Sequence, residues 1–99
     1  MTEIWDTLRE EFKKAIDNVL RPINVRNALI GAERIKEFVD LSSRRDFALG
    51  YLLGFLWGSF EFFVFYNYSR TLTEEEREGL RHILRQRILD FRDAIHKMS

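Results

Sequence analysis

Glu33, Glu37 and Asp40 recur at one-turn spacing along a helical stretch, and Glu37-x-x-Asp40 has the separation at which two carboxylates on adjacent turns can share a divalent cation. An all-α hydrolase built on Mg²⁺ needs a second acidic pair on a facing helix. Glu10–Glu11 is the nearest counterpart, and it lacks a further acid three residues on. The three acids also point away from the apolar side of their own helix. A solvated face accounts for them better than a metal centre, so a small metal-dependent hydrolase is the third reading of the chain, and no metal or cofactor is expected.

Arg77, Arg81, Arg85 and Arg92 share one flank of a later helical stretch, with His96 beside them. Such a row could grip phosphates. Glu74 and Glu78 lie on the same flank and dilute its potential, and ion pairing with neighbouring acids explains the row without nucleic acid. His82 follows Glu78 by four residues, without a second ligand at a recognised spacing. No Ser/His/Asp set and no glycine-rich phosphate loop can be assembled.

Glu61 is the most informative single acid. It stands in an otherwise apolar run and projects from the same face as Gly50, Gly54 and Gly58. If the two last helices reverse around residues 69–72, Glu61 comes level with Arg81 and His82. A buried carboxylate requires a partner of that kind. The expectation is an ion pair; the alternative is a catalytic or metal-binding role, with Glu61 as a further acid of the hydrolase reading.

Composition narrows the class. Sixteen basic residues balance sixteen acidic ones, so the basic excess of a nucleic-acid binder is missing. The absence of cysteine removes disulfides and thiolate metal sites. Charged residues make up 32% of the 99, a mix common in heat-adapted proteins, and the length suits one domain, 1–99. The charged, amphipathic start does not read as a signal peptide, which makes a cytoplasmic location the expectation and a membrane the alternative.

The elements that must carry these residues are four helices, at about 2–20, 24–41, 44–68 and 73–98, with no strand pattern. Thr2 is a candidate N-cap for the first, whose apolar stripe runs through Leu8, Phe12 and Ile16 to Val19. Pro22 ends that helix, and Asn24 is a candidate cap for the second. Ser43 with Asp46 marks the start of the third, and Thr73 with Glu76 forms a capping box for the fourth. The fold class is all-α, a four-helix bundle.

Helix 3 departs from the pattern of its neighbours. Phe47 to Tyr66 contains only Ser59 and Glu61 as polar residues, apart from glycine. On a helical wheel Leu52, Phe55, Leu56, Phe63 and Tyr66 fall to one side, and Gly50, Gly54, Gly58, Trp57 and Phe65 to the other. A helix apolar all round must be buried all round. Three companions in a bundle cannot do that alone. Glycine within a helix costs about 1 kcal/mol relative to alanine, so three at four-residue spacing point to close approach of another backbone, within or between chains; the alternative is that they make room for a Trp or Phe of the same chain.

These observations predict a self-associating interaction or structural module without catalytic activity, forming an intertwined or side-by-side homo-oligomer, most simply a homodimer. The expected interface is Gly50, Gly54, Trp57, Gly58, Glu61 and Phe65, with itself as partner and another protein as a further candidate. A single bilayer span over Phe47–Tyr66 is the second reading. Its length matches the roughly 30 Å hydrocarbon core, and Glu61 counts against it.

Overall fold

The computed structural model describes residues 3–99. They form four helices, α1 (Trp5–Val19), α2 (Pro22–Ile35), α3 (Arg44–Tyr68) and α4 (Glu74–Met98), in an all-α bundle measuring 45 × 25 × 21 Å. The candidate cap Thr2 lies outside the described residues.

The first junction corrects the sequence reading. Pro22 does not merely stop α1; it opens α2 two residues before Asn24. Proline has no N–H to leave unsatisfied at a helix start, and its fixed φ suits that position. Arg21 supplies the extended residue ahead of it, with φ −59° and ψ 141°. Asn24 acts instead as a clasp. Its amide Nδ2 donates to the Asn18 carbonyl at 2.7 Å, beside the Arg21 N–H that reaches the same oxygen at 3.2 Å, so two donors close the end of α1.

Helix α2 also ends earlier than its stripe predicts, at Ile35 and not near Leu41. Most helix stability in proteins comes from packing. Just past Ile35 the apolar side chains find no cover: Phe38 is 81% exposed and Val39 is open as well. Glu33 lies in the last turns of α2 and is held to the first residue of α3 by Arg44, whose Nη1 donates to Glu33 Oε1 at 2.6 Å.

Helices α3 and α4 begin where their caps predict. Ser43 Oγ accepts the Asp46 N–H at 3.1 Å. At Thr73 the capping box closes both ways, the Glu76 N–H reaching Thr73 Oγ1 at 3.1 Å and the Thr73 N–H reaching Glu76 Oε1 at 2.8 Å. Between the two helices the chain reverses at Ser69, which adopts a left-handed conformation with φ 55°.

The core takes one stripe from each helix. Leu8, Phe12 and Ile16 of α1, Val25, Ala28 and Leu29 of α2, and Leu80, Phe91 and Ile95 of α4 are buried in one cluster. From α3 the buried residues are Ala48, Leu52, Leu56, Phe60 and Val64, spaced four apart. Phe12 sits at the centre of this packing, its ring 5.0 Å from that of Phe60 in an edge-on arrangement. Such a pair adds about 0.5–1.5 kcal/mol beyond its area. Gly79 of α4 lies where the indole of Trp5 leaves no room for a side chain.

Candidate functional site: the open face of α3

Only one side of α3 is used by its own chain. Tyr51 is 47% exposed, Phe55 49%, Phe62 67%, Phe65 60% and Tyr66 76%. Gly50, Gly54 and Gly58 lie on the same outward side, and Ser59 and Glu61 are exposed beside them. Over the most apolar part of this helix, 28% of the residues are buried. The core helix of a self-sufficient bundle would be mostly covered.

Phe55 and Tyr66 do not share the buried side of Leu52 and Leu56; they face outward. A stripe spaced every four residues drifts by about 40° per step, so residues that begin at its edge leave it within two turns. Trp57 belongs to the other group. Its ring packs 5.3 Å from that of Phe12 and is partly covered, so much of the indole belongs to the chain's own core.

The glycines are as open as the aromatics. A β-carbon built at Gly50, Gly54 or Gly58 meets nothing within 4 Å. None of them is therefore making room for a side chain of its own chain. The one glycine that does so is Gly79, under Trp5.

Glu61 is not buried, and its pairing differs from expectation. Arg77 Nε lies 3.5 Å from Glu61 Oε1, and the Glu61 side chain is 49% exposed. Arg81 pairs with Glu74 and Glu78, and His82 lies against Gln86. The reason is the reversal point. Ser69 turns the chain at once, which sets Glu61 level with a residue one turn earlier on α4 than a turn centred near residue 71 would.

The carboxylate that is buried is Glu76, at 0% exposure. Arg70 grips it with both terminal nitrogens, Nη1 to Oε1 and Nη2 to Oε2, each at 2.9 Å. Hydrogen bonding to Glu76 is the main cause holding the Arg70 guanidinium above its already high ordinary range. The capping box was readable in the sequence. The arginine was not, because only the left-handed turn at Ser69 brings it back over the helix start.

The remaining candidates do not converge on chemistry. Glu33 is committed to Arg44 and Lys36, and the Arg44 hydrogen bond is the first cause keeping its carboxyl below the ordinary range. Glu37 and Asp40 lie beyond the end of α2, so the Glu37-x-x-Asp40 spacing is not that of a helix face. Among the described residues no three His, Asp or Glu side chains group as a cation site would require. In the arginine row, Arg77 and Arg81 are paired with acids. A cleft of about 350 Å³ between the start of α3 and the end of α4 is lined by Arg45, Asp46, Arg92 and Asp93, charges of both signs that favour no single ligand. Compared with known protein families, curated proteins and solved structures, the chain matches none.

Proposed function

We propose that the protein is a helical interaction module that self-associates, as a homodimer, through the outward face of α3, and that it acts by assembly and not by catalysis. The observation that carries this reading is the aromatic surface of that face. At about 200 Å² per aromatic side chain, the exposures of Tyr51, Phe55, Phe62, Phe65 and Tyr66 leave on the order of 600 Å² of aromatic surface in water. That is at or beyond the largest patch usual on a monomer, a few hundred Å². It approaches the roughly 800 Å² per partner of a standard stable interface.

Magnitudes favour association. Burying an aromatic side chain fully is worth about 1.5–3 kcal/mol. Two copies contribute ten that are half to three-quarters exposed, a gross gain on the order of 10–20 kcal/mol. Docking two proteins costs roughly 4–15 kcal/mol. The open glycines add close backbone approach, which their own chain does not use.

A bilayer is the competing occupant, because α3 is long and apolar enough to cross one. A span, however, needs lipid around the whole helix, and α1, α2 and α4 already occupy one side of α3. Their outer surfaces carry charges, and Glu61 with Arg77 sits on the open side. A second copy fits these observations better than acyl chains do.

Size exclusion with light scattering, without detergent, tests the reading. The expected mass is twice the 11.9 kDa of one chain. A monomer at micromolar concentration contradicts it, and recovery only from detergent-extracted membranes gives the face to lipid.

A further inference from the structure

The outward residues of α3 form a seam. Phe47, Tyr51, Gly54, Gly58, Glu61 and Phe65 follow one another at intervals of four, three, four, three and four. That is the 3.5-residue repeat of a helix supercoiling against another helix. Every member is exposed or half-exposed in the single chain, so the seam is separate from the four-residue stripe that the chain buries. The repeat becomes evident only once the buried stripe has been assigned.

The seam is also symmetric about residue 56. Phe47 and Phe65 stand at its ends, Tyr51 and Glu61 inside them, and Gly54 and Gly58 at its centre. A two-fold dimer places the same surface on both subunits, so that residue i of one meets residue j of the other and the reverse. We propose that α3 pairs with α3 of a second copy in antiparallel register, with the dyad level with Leu56. This rests on the self-association reading above and fixes its geometry.

The chemistry agrees at each level. Gly54 faces the partner's Gly58 twice across the dyad, the arrangement in which two helices approach most closely. Phe47 stacks on the partner's Phe65 at both ends. The Tyr51 hydroxyl, which loses water when the face closes, donates to the partner's Glu61 carboxylate. Glu61 holds Arg77 at 3.5 Å and has acceptor capacity to spare. A parallel pairing in register would instead set Glu61 against Glu61 and leave each Tyr51 hydroxyl facing its like. Charge and hydrogen bonding therefore choose the antiparallel arrangement, and a second copy is the occupant whose groups match the seam.

The chain has no cysteine, so introduced thiols report without background. A chain carrying both Phe47→Cys and Phe65→Cys is expected to form a covalent dimer on mild oxidation. The two positions lie about 27 Å apart along one helix, too far for a bond within the chain. Each single variant is expected to remain uncrosslinked, and a mixture of the two singles is expected to link. Self-linking by Phe47→Cys alone, or no linking by any variant of dimeric mass, overturns the register while leaving self-association intact; a monomeric wild type overturns both. A second readout needs no thiol. Tyr51→Phe and Glu61→Gln are each expected to weaken the wild-type dimer about tenfold, and the double variant no more than either. Multiplicative weakening, or no weakening, contradicts the Tyr51–Glu61 contact.

Discussion

The indole of Trp57 lies 5.3 Å from the ring of Phe12, tilted by 41°, and this contact divides the circumference of α3. On one side of it are Leu52, Leu56 and Phe60, which belong to the chain's own core. On the other are Gly54, Gly58, Phe62 and Phe65, which its own chain leaves uncovered.

Glycines on the two sides of the bundle should respond to alanine in opposite ways. Gly79→Ala is expected to destabilise, because the added carbon would overlap the ring of Trp5 and displace it. Gly54→Ala meets open space within the chain. An isolated protomer would gain about 1 kcal/mol from better helix propensity. The proposed dimer is expected to weaken instead, because added methyl groups would separate two paired copies of α3. Denaturant midpoints measured at high and low protein concentration distinguish these effects. A gain for Gly54→Ala at every concentration would place the glycine face outside any interface.

Phe60 and Phe62 are two residues apart and should behave as different kinds of residue. Phe60 is 3% exposed and packs on Phe12, so Phe60→Ala is expected to cost about 3–5 kcal/mol and to lower the melting temperature steeply. The exchange of Phe62 and Phe65 together for serine removes two open rings. Circular dichroism should retain the helix content of this variant while light scattering reports a shift toward the monomer.

The buried carboxylate makes a further prediction about stability. Thr73→Ala removes one cap hydrogen bond and is expected to cost about 1 kcal/mol. Glu76→Ala removes the reciprocal cap and leaves Arg70 without its bidentate partner, with an expected cost of about 2–4 kcal/mol. Urea titration at neutral pH checks the order, which reverses if Glu76 serves only as a cap.

The Glu33 carboxyl, held below its ordinary range by Arg44 and then Lys36, makes a pH-dependent contribution. Its folded-state value is the lower one, so the stabilisation is present above the ordinary carboxylate range and fades as the pH falls through the folded value. Glu33→Gln is therefore expected to be slightly less stable than wild type at pH 7. The gap should close in acid and in high salt, since the pair is exposed. A gap that persists in acid would assign the effect to something other than the charge.

Much of the architecture is readable from residues alone. The α3 boundaries follow from Ser43 and Asp46 at one end and the Asn67–Arg70 turn at the other, and α4 follows from its capping box. The end of α2 was not readable, because Val39 continues the apolar spacing and only the lack of a neighbour stops the helix. The apolar excess of α3 was evident in its composition. Its division into a covered and an open side was not, because Phe55 and Leu56 are equally apolar and only tertiary packing separates them. The apolar run around Glu61 predicts a buried, paired acid; Glu61 is paired but half-exposed, and the turn at Ser69 decides that Arg77 is the partner.

Sedimentation equilibrium of the wild-type protein in detergent-free buffer, from submicromolar to high micromolar concentration, tests most directly whether a second copy covers α3. The predicted result is a single species of twice 11.9 kDa over most of that range, dissociating only on dilution. A species of 11.9 kDa throughout, soluble and folded, would contradict it.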